Sequence, residues 1–167
     1  ESSMENNYQN EGHQNKVCTF LSNPPHNSFQ KTNLLDKILD FAQRAWDKGD
    51  YSGNEQKPGP LHALKGGVNS LNLRLVEHWE YSPGGGLVDP EHYDNNSVLT
   101  LVCLLSDSST FEGGTFRTNE SNGNMKEYAM NRGDAICFVS HKLHNVVPLV
   151  SGKRRSMVIE LWEGGEG

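Results

Sequence analysis

The chain has 167 residues, a length that suits one domain around a single core. Hydrophobic residues make up 34% and 17 are glycine, the balance of a turn-rich but globular protein. The net charge of −6 argues against a general nucleic-acid binder, whose phosphate contacts need a basic surface, and no run approaches ~18 apolar residues, so no membrane span is expected.

Residues 1–16 are rich in Glu, Asn, Gln and Ser and carry almost nothing apolar. They read as a disordered or loosely attached arm, with residues 17–167 as a single domain. The chain starts at Glu1 rather than Met, which reads as a fragment, and no signal-peptide pattern is visible. Residues 17–21 suit a short edge strand, ended by Pro24-Pro25.

The clearest helix is predicted over 32–48. Leu34, Leu35, Ile38, Leu39, Ala42, Ala45 and Trp46 recur at helical spacing and give one apolar face. Thr32 or Asn33 can cap its start and Gly49 can close its end. Residues 50–60 read as a polar loop, since Gly and Pro argue against regular structure there.

Residues 71–81 alternate. Leu71, Leu73, Leu75, Glu77, Trp79 and Tyr81 fall on one face of a strand, and Asn72, Arg74, Val76, His78 and Glu80 on the other. The continuous apolar run 98–105 predicts a buried central strand. Further short strands are expected at 115–118, 126–130, 135–139 and 154–162, with Gly113-Gly114 and Asn131-Arg132-Gly133-Asp134 as turns between them. One helix followed by many short strands reads as α+β or mainly β, with the helix buttressing a sheet and a β core over about residues 68–163.

Three cysteines, Cys18, Cys103 and Cys137, have no paired spacing and read as free thiols. Asn95-Asn96-Ser97 and Asn119-Glu120-Ser121 match the glycosylation pattern. Asn95 adjoins a candidate metal ligand, where a glycan would block the site. Read as unused, that sequon leans toward a cytoplasmic or nuclear setting.

His92-Tyr93-Asp94 carries the chemistry. On an extended segment the spacing of two turns His92 and Asp94 to one side, within reach of a single ion. A second histidine, His141 or His144, would complete a set of two imidazoles and one carboxylate, which leaves half of an octahedral iron(II) open to other molecules. His13, His26 and His62 lie in polar segments, and His78 falls on the strand face away from Tyr81. In the last strand, parity groups Arg154 with Ser156, Val158, Glu160 and Trp162, and Arg155 with Met157, Ile159 and Leu161.

From Leu71 to Trp162 the chain resembles the iron(II)- and 2-oxoglutarate-dependent dioxygenases, most of all the prolyl 4-hydroxylase-type catalytic domain. Five pieces occur in the family's order. These are Tyr81 with the glycines Gly84-Gly85-Gly86, His92-x-Asp94, Glu112-Gly113-Gly114-Thr115-Phe116, Gly133-Asp134 leading to Phe138, and His144 through Val146, Pro148, Gly152 and Arg154 to Ser156.

The resemblance implies a double-stranded β-helix (jelly roll), with iron(II) held by His92, Asp94 and His144. It makes Arg154 the partner of the distal carboxylate of 2-oxoglutarate, with Tyr81 and Ser156 as further contacts. His141 becomes a rim residue. The implied reaction spends dioxygen and 2-oxoglutarate, releases succinate and carbon dioxide, and hydroxylates an unactivated carbon; ascorbate is admitted as an accessory. The carboxylate of Asp94 favours hydroxylation over halogenation.

The implied substrate is a prolyl residue in a peptide or protein, with a free amino acid or other small molecule as the alternative. Two other readings remain: a cupin-like metal enzyme without 2-oxoglutarate, and a non-catalytic binding domain. Dependence of turnover on 2-oxoglutarate separates them. The triple glycine reads equally as a lid edge or a flexible loop.

Overall fold

The computed structural model describes residues 15–21, 33–48, 53–54, 57–58, 67–120 and 122–164. The arm over 1–14, the caps Thr32 and Gly49, and His13, His26 and His62 lie outside these.

In chain order the elements are β1 (Lys16–Phe20), α1 (Leu34–Lys48), β2 (Gly53–Asn54), β3 (Lys57–Pro58), β4 (Asn72–Tyr81), β5 (Leu99–Leu104), β6 (Phe111–Gly113), β7 (Phe116–Asn119), β8 (Met125–Tyr128), β9 (Ala135–Val139), β10 (His144–Val146), β11 (Leu149–Gly152) and β12 (Arg154–Trp162). The mainly β architecture with one helix is as expected. Strand β1 starts at Lys16, one residue inside the segment read as the arm. The 50–60 segment is not wholly irregular: β2 and β3 pair antiparallel, Gly53 with Pro58 and Asn54 with Lys57. A ladder this short tolerates proline, because an edge position demands no donor from it. Strands β6, β10 and β11 are too short to show a period.

Five strands form the large sheet in the order β1-β4-β12-β5-β9. Strands β10-β7-β8 and β11-β6 form smaller sheets. Phe116 and Val146 of the three-stranded sheet pack on Val102 and Phe138 of the large one, so these two sheets face each other. The outer face of the large sheet is covered by α1. Ile38 and Ala42 bury against Leu71, Leu73, Val76, Leu99, Leu101, Ile159 and Leu161. Burial of this apolar face, rather than helix propensity, holds α1 in place. Among the described residues no helix is long and apolar enough to cross a membrane.

The parity expected of β4 fails midway. Leu161 of β12 pairs with Leu73, but Glu160 pairs with Leu75, so Arg74 is an extra residue on β4. This β-bulge exchanges the faces beyond it. Leu71 and Leu73 point to the helix, and so does Val76, fully buried at 0% exposure. Glu77, Trp79 and Tyr81 turn instead to the inner face and line its cavity. Apolar packing below the bulge and site chemistry above it are thereby served by one strand. Strand β12 shows no such irregularity against β5, and its parity holds along its length.

Candidate metal and co-substrate site

An inner cavity of about 180 Å³ opens between the sheets. His92, Asp94 and His144 meet in its wall, with one ligating atom from each within 4.8 Å of the others. His92 Nε2 lies 3.2 Å from Asp94 Oδ1, and His144 Nε2 lies 3.7 Å from Asp94 Oδ2.

The backbone brings this cluster together from two segments, the stretch holding His92 and Asp94 and the start of β10 holding His144, and pins it against the turn after β9. The His144 N–H donates to the His92 carbonyl at 3.0 Å, tying the start of β10 to the segment before it. The Asp94 N–H donates to the Ser140 carbonyl at 2.9 Å, tying the same segment to the turn after β9.

Each donor is also aimed. Nδ1 of His144 lies 2.9 Å from the Lys142 carbonyl. A carbonyl only accepts, so Nδ1 carries the proton and Nε2 keeps its lone pair for the cavity. The rings of Phe138 and Phe116 pack on the imidazole, with centroids at 4.8 and 5.7 Å. Burial pulls the His144 pKa below its ordinary value of 6.5, against the opposing pull of Asp94, and this favours the neutral ring that a metal needs. Burial pushes the Asp94 carboxyl up, but the hydrogen bond with His92, the nearby His144 and a hydrogen bond from Thr100 together hold it below the usual range. Thr100 Oγ1 donates to Asp94 Oδ2 at 2.7 Å and lies 2.9 Å from Ser140 Oγ. Thr100 and Ser140 are both fully buried at 0% exposure.

His141 stays outside the cluster. It is exposed and stacks on Tyr93, with ring centroids at 5.9 Å. His78 lies opposite Thr19 and Met157 on the neighbouring strands and is not among the cavity residues.

Further along the inner face, Arg154 is only 2% exposed. Its Nη1 donates to Ser156 Oγ at 3.0 Å, and its guanidinium stands 5.5 Å from the Tyr81 ring centroid. Among the described residues no carboxylate pairs with it. Burial lowers its pKa, the mark of a cation that has lost water without gaining an anion. Burial also pushes the Tyr81 phenol up to about 12, against the pull of Arg154, so Tyr81 remains a neutral donor. Gly114 makes room for the arginine stem. It has φ +65°, and a Cβ there would sit 2.7 Å from Arg154 Cδ. Arg155 faces outward and bonds Glu80 with Nε at 2.7 Å from Oε2.

Two imidazoles and a carboxylate fit a divalent first-row metal such as iron(II) with open positions. The buried, unpaired guanidinium in the same cavity fits an anion with a planar carboxylate. The motifs had not pointed to Thr100 and Ser140. The only signal for Thr100 is a hydroxyl inside an otherwise apolar strand.

Several solved structures share this architecture. An oxidoreductase of the 2OG-Fe(II) oxygenase family from Burkholderia pseudomallei matches 94% of this chain and 73% of its own, at TM-score 0.59 and 15% identity. A prolyl hydroxylase from Trichoplax adhaerens, solved with a peptide fragment of hypoxia inducible factor, matches 97% and 69% at TM-score 0.63 and 11% identity. A prolyl-4-hydroxylase from Pseudomonas putida matches 89% and 72% at TM-score 0.56 and 15% identity.

The fold is that of the 2OG-Fe(II) oxygenases. No family profile matches the chain. One curated relative is a PKHD-type hydroxylase of Synechococcus sp. (strain CC9605), 34% identical over 73 residues. That match covers 44% of this chain, and the chain spans about a third (33%) of that relative's length. The resemblance read from the motifs therefore holds in both sequence and fold.

Proposed function

We propose that this oxygenase fold is an iron(II)- and 2-oxoglutarate-dependent dioxygenase that hydroxylates an unactivated carbon. The observation that carries the reading is Arg154, a buried cation without a counter-ion among the described residues, in the same cavity as the His92, Asp94 and His144 cluster. A metal enzyme that used no second acid would have no use for it.

His92, Asp94 and His144 would hold the iron. Arg154, helped by the Ser156 and Tyr81 hydroxyls, would hold the distal carboxylate of 2-oxoglutarate. Bound together, iron(II), 2-oxoglutarate and dioxygen supply the oxidising power that hydroxylates a carbon while releasing succinate and carbon dioxide. The chain's own work is placement and shielding. Thr100 restrains one oxygen of Asp94, and the Lys142 carbonyl restrains His144. Leu87, Val102, Phe116, Val146 and Val158 line the cavity and limit water around it.

The finer reading is a prolyl residue in a peptide. It draws on the five motifs and on the named activities of the Trichoplax and Pseudomonas proteins. The test is succinate release with iron(II), 2-oxoglutarate and proline-containing peptides. Succinate formed only with all of these present is the expected result. Turnover that needs no 2-oxoglutarate overturns the reading.

A further inference from the structure

Arg154, Ser156 and Tyr81 occupy one end of the inner face, and the proposed reaction leaves Glu77 without a task. Glu77 stands on β4 opposite Val158 of β12. It lines the site cavity and also an adjoining one of about 280 Å³, which it shares with Lys16, Phe20, Trp79, Asp89 and His92. Lys16, Glu77, Trp79, Leu87 and His92 line both cavities, so Glu77 stands where the two meet. A molecule that reaches the cluster from this side passes Glu77.

The carboxylate is under-satisfied. Among the described residues its one hydrogen bond comes from Trp79, whose Nε1 donates to Oε2 at 2.8 Å. Among the described residues it forms no ion pair. Lys16 lines both cavities beside Glu77 and attracts it electrostatically, but its Nζ rests against the Trp79 ring, 4.8 Å from the centroid, without forming a salt bridge to the carboxylate. Burial pushes the Glu77 carboxyl up, the Trp79 bond opposes this, and Glu160 and Asp94 add to the rise. A carboxylate so placed gains most from a donor that brings positive charge. Glu160, a buried carboxylate of the same face, already has a cationic donor in Arg74 and a neutral hydroxyl donor in Ser97.

We propose that Glu77 determines specificity by receiving a cationic nitrogen of the substrate, carried on the hydroxylated residue or its immediate neighbour. The inference rests on the dioxygenase reading above and narrows its substrate to molecules that carry a cationic nitrogen on or directly beside the hydroxylated residue.

The test is a panel turned over by the wild-type enzyme with iron(II) and 2-oxoglutarate. It holds proline peptides of one length, blocked at the N-terminus, with Lys, Arg, Ala or Glu beside the proline, together with free lysine and arginine and their side-chain-neutral analogues norleucine and citrulline. A charge-assisted hydrogen bond predicts kcat/KM at least about ten-fold higher for cationic members than for their neutral and acidic counterparts. Glu77→Gln should erase that ratio and Glu77→Asp should keep part of it. If no member is turned over, equilibrium binding to enzyme loaded with manganese(II) and 2-oxoglutarate is read by the same ratio.

Equal handling of Ala, Glu and Lys peptides by the wild type overturns the proposal, as does a ratio that survives Glu77→Gln. Substrate-free conversion of 2-oxoglutarate to succinate separates the two claims. If it occurs while the ratio fails, only the substrate inference falls. If 2-oxoglutarate is never consumed, the dioxygenase reading falls and the binding ratio still judges Glu77.

Discussion

Strand β12 buries a charge near each end of its inner face, and the two are treated differently. Glu160, 6% exposed, accepts hydrogen bonds from the guanidinium of Arg74 and the hydroxyl of Ser97. Arg154, 2% exposed, has one hydroxyl partner and an aromatic ring and, among the described residues, no anion. A buried charge that the fold itself neutralises belongs to the fold. One left without a counter-ion costs stability until a ligand supplies it. The contrast separates structural from ligand-directed electrostatics along a single strand.

The largest effect is expected between these two ends, at the metal cluster. His92→Ala, Asp94→Ala and His144→Ala should each abolish turnover while the β-rich circular dichroism spectrum persists, because the cluster lies outside the apolar core beneath α1. An active His144→Ala enzyme together with a dead His141→Ala enzyme would reverse the assignment of the second histidine.

The comparison itself is broken most directly by exchanging its terms. Arg154→Ala should raise the half-saturating 2-oxoglutarate concentration more than about a hundred-fold, the equivalent of losing a desolvated charge pair worth roughly 3–5 kcal/mol. Arg154→Lys should recover only part, since an ammonium lacks the planar fork. Neither should lower the melting temperature of the ligand-free protein much. Glu160→Ala should do the opposite. It strands Arg74 and Ser97 and should cost about 1–3 kcal/mol of stability in denaturant titrations. A stability loss at Arg154 equal to that at Glu160 would erase the distinction.

A smaller effect is expected behind the metal. Thr100→Val keeps the shape but removes the donor to Asp94, and loss of such an outer-shell bond typically weakens metal affinity about 10–100-fold. Manganese(II) titration of Thr100→Val and Thr100→Ser checks this, the serine restoring most of the affinity. Protons act on the same donors. The folded His144 pKa is depressed by burial, so below the ordinary value of 6.5 the unfolded chain takes up the proton first. Stability of the metal-free protein should therefore fall as pH drops below 6.5 toward the folded value, and metal affinity should fall with it. Equal affinity at pH 7.5 and 5 would contradict a histidine donor in this position.

How much of this was readable from residues alone differs by strand. Along β12, alternation separates Arg154 and Ser156 from Met157 and Ile159 without interruption, so its inner face is legible. Along β4 the same alternation misleads, because the bulge at Arg74 depends on pairing with Glu160 and Leu161, which are distant in the chain. Gly113-Gly114 reads locally as a turn, and only the packed structure shows that the Arg154 stem requires the absence of a side chain at Gly114. At the triple glycine, too, packing adds what the sequence leaves open. Gly86 is buried, and a Cβ there would sit 2.7 Å from the Val146 carbonyl oxygen. Motifs pointed to the candidate ligands His92, Asp94 and His144, which the fold brings together. Thr100 and Glu77 stayed hidden because their roles come from tertiary contacts.

The smallest effect is expected at Arg155, and it sharpens the comparison by holding residue type and chain position nearly constant. Arg155 shares its carboxylate partner, Glu80, with Lys153, whose Nζ lies 2.6 Å from Oε1. Its side chain is 49% exposed. Exposed pairs of this kind contribute only about 0–1 kcal/mol, and Lys153 remains to neutralise Glu80 when the arginine is removed. Arg155→Ala should therefore leave both the melting temperature and the half-saturating 2-oxoglutarate concentration nearly unchanged. Salt should shrink even the residual stability difference, since the pair is screened by water and ions. If Arg155→Ala instead raised the 2-oxoglutarate requirement as Arg154→Ala is expected to, the two faces of β12 would have to be exchanged. The bulge that brings Tyr81 beside Arg154 would then have to be absent as well.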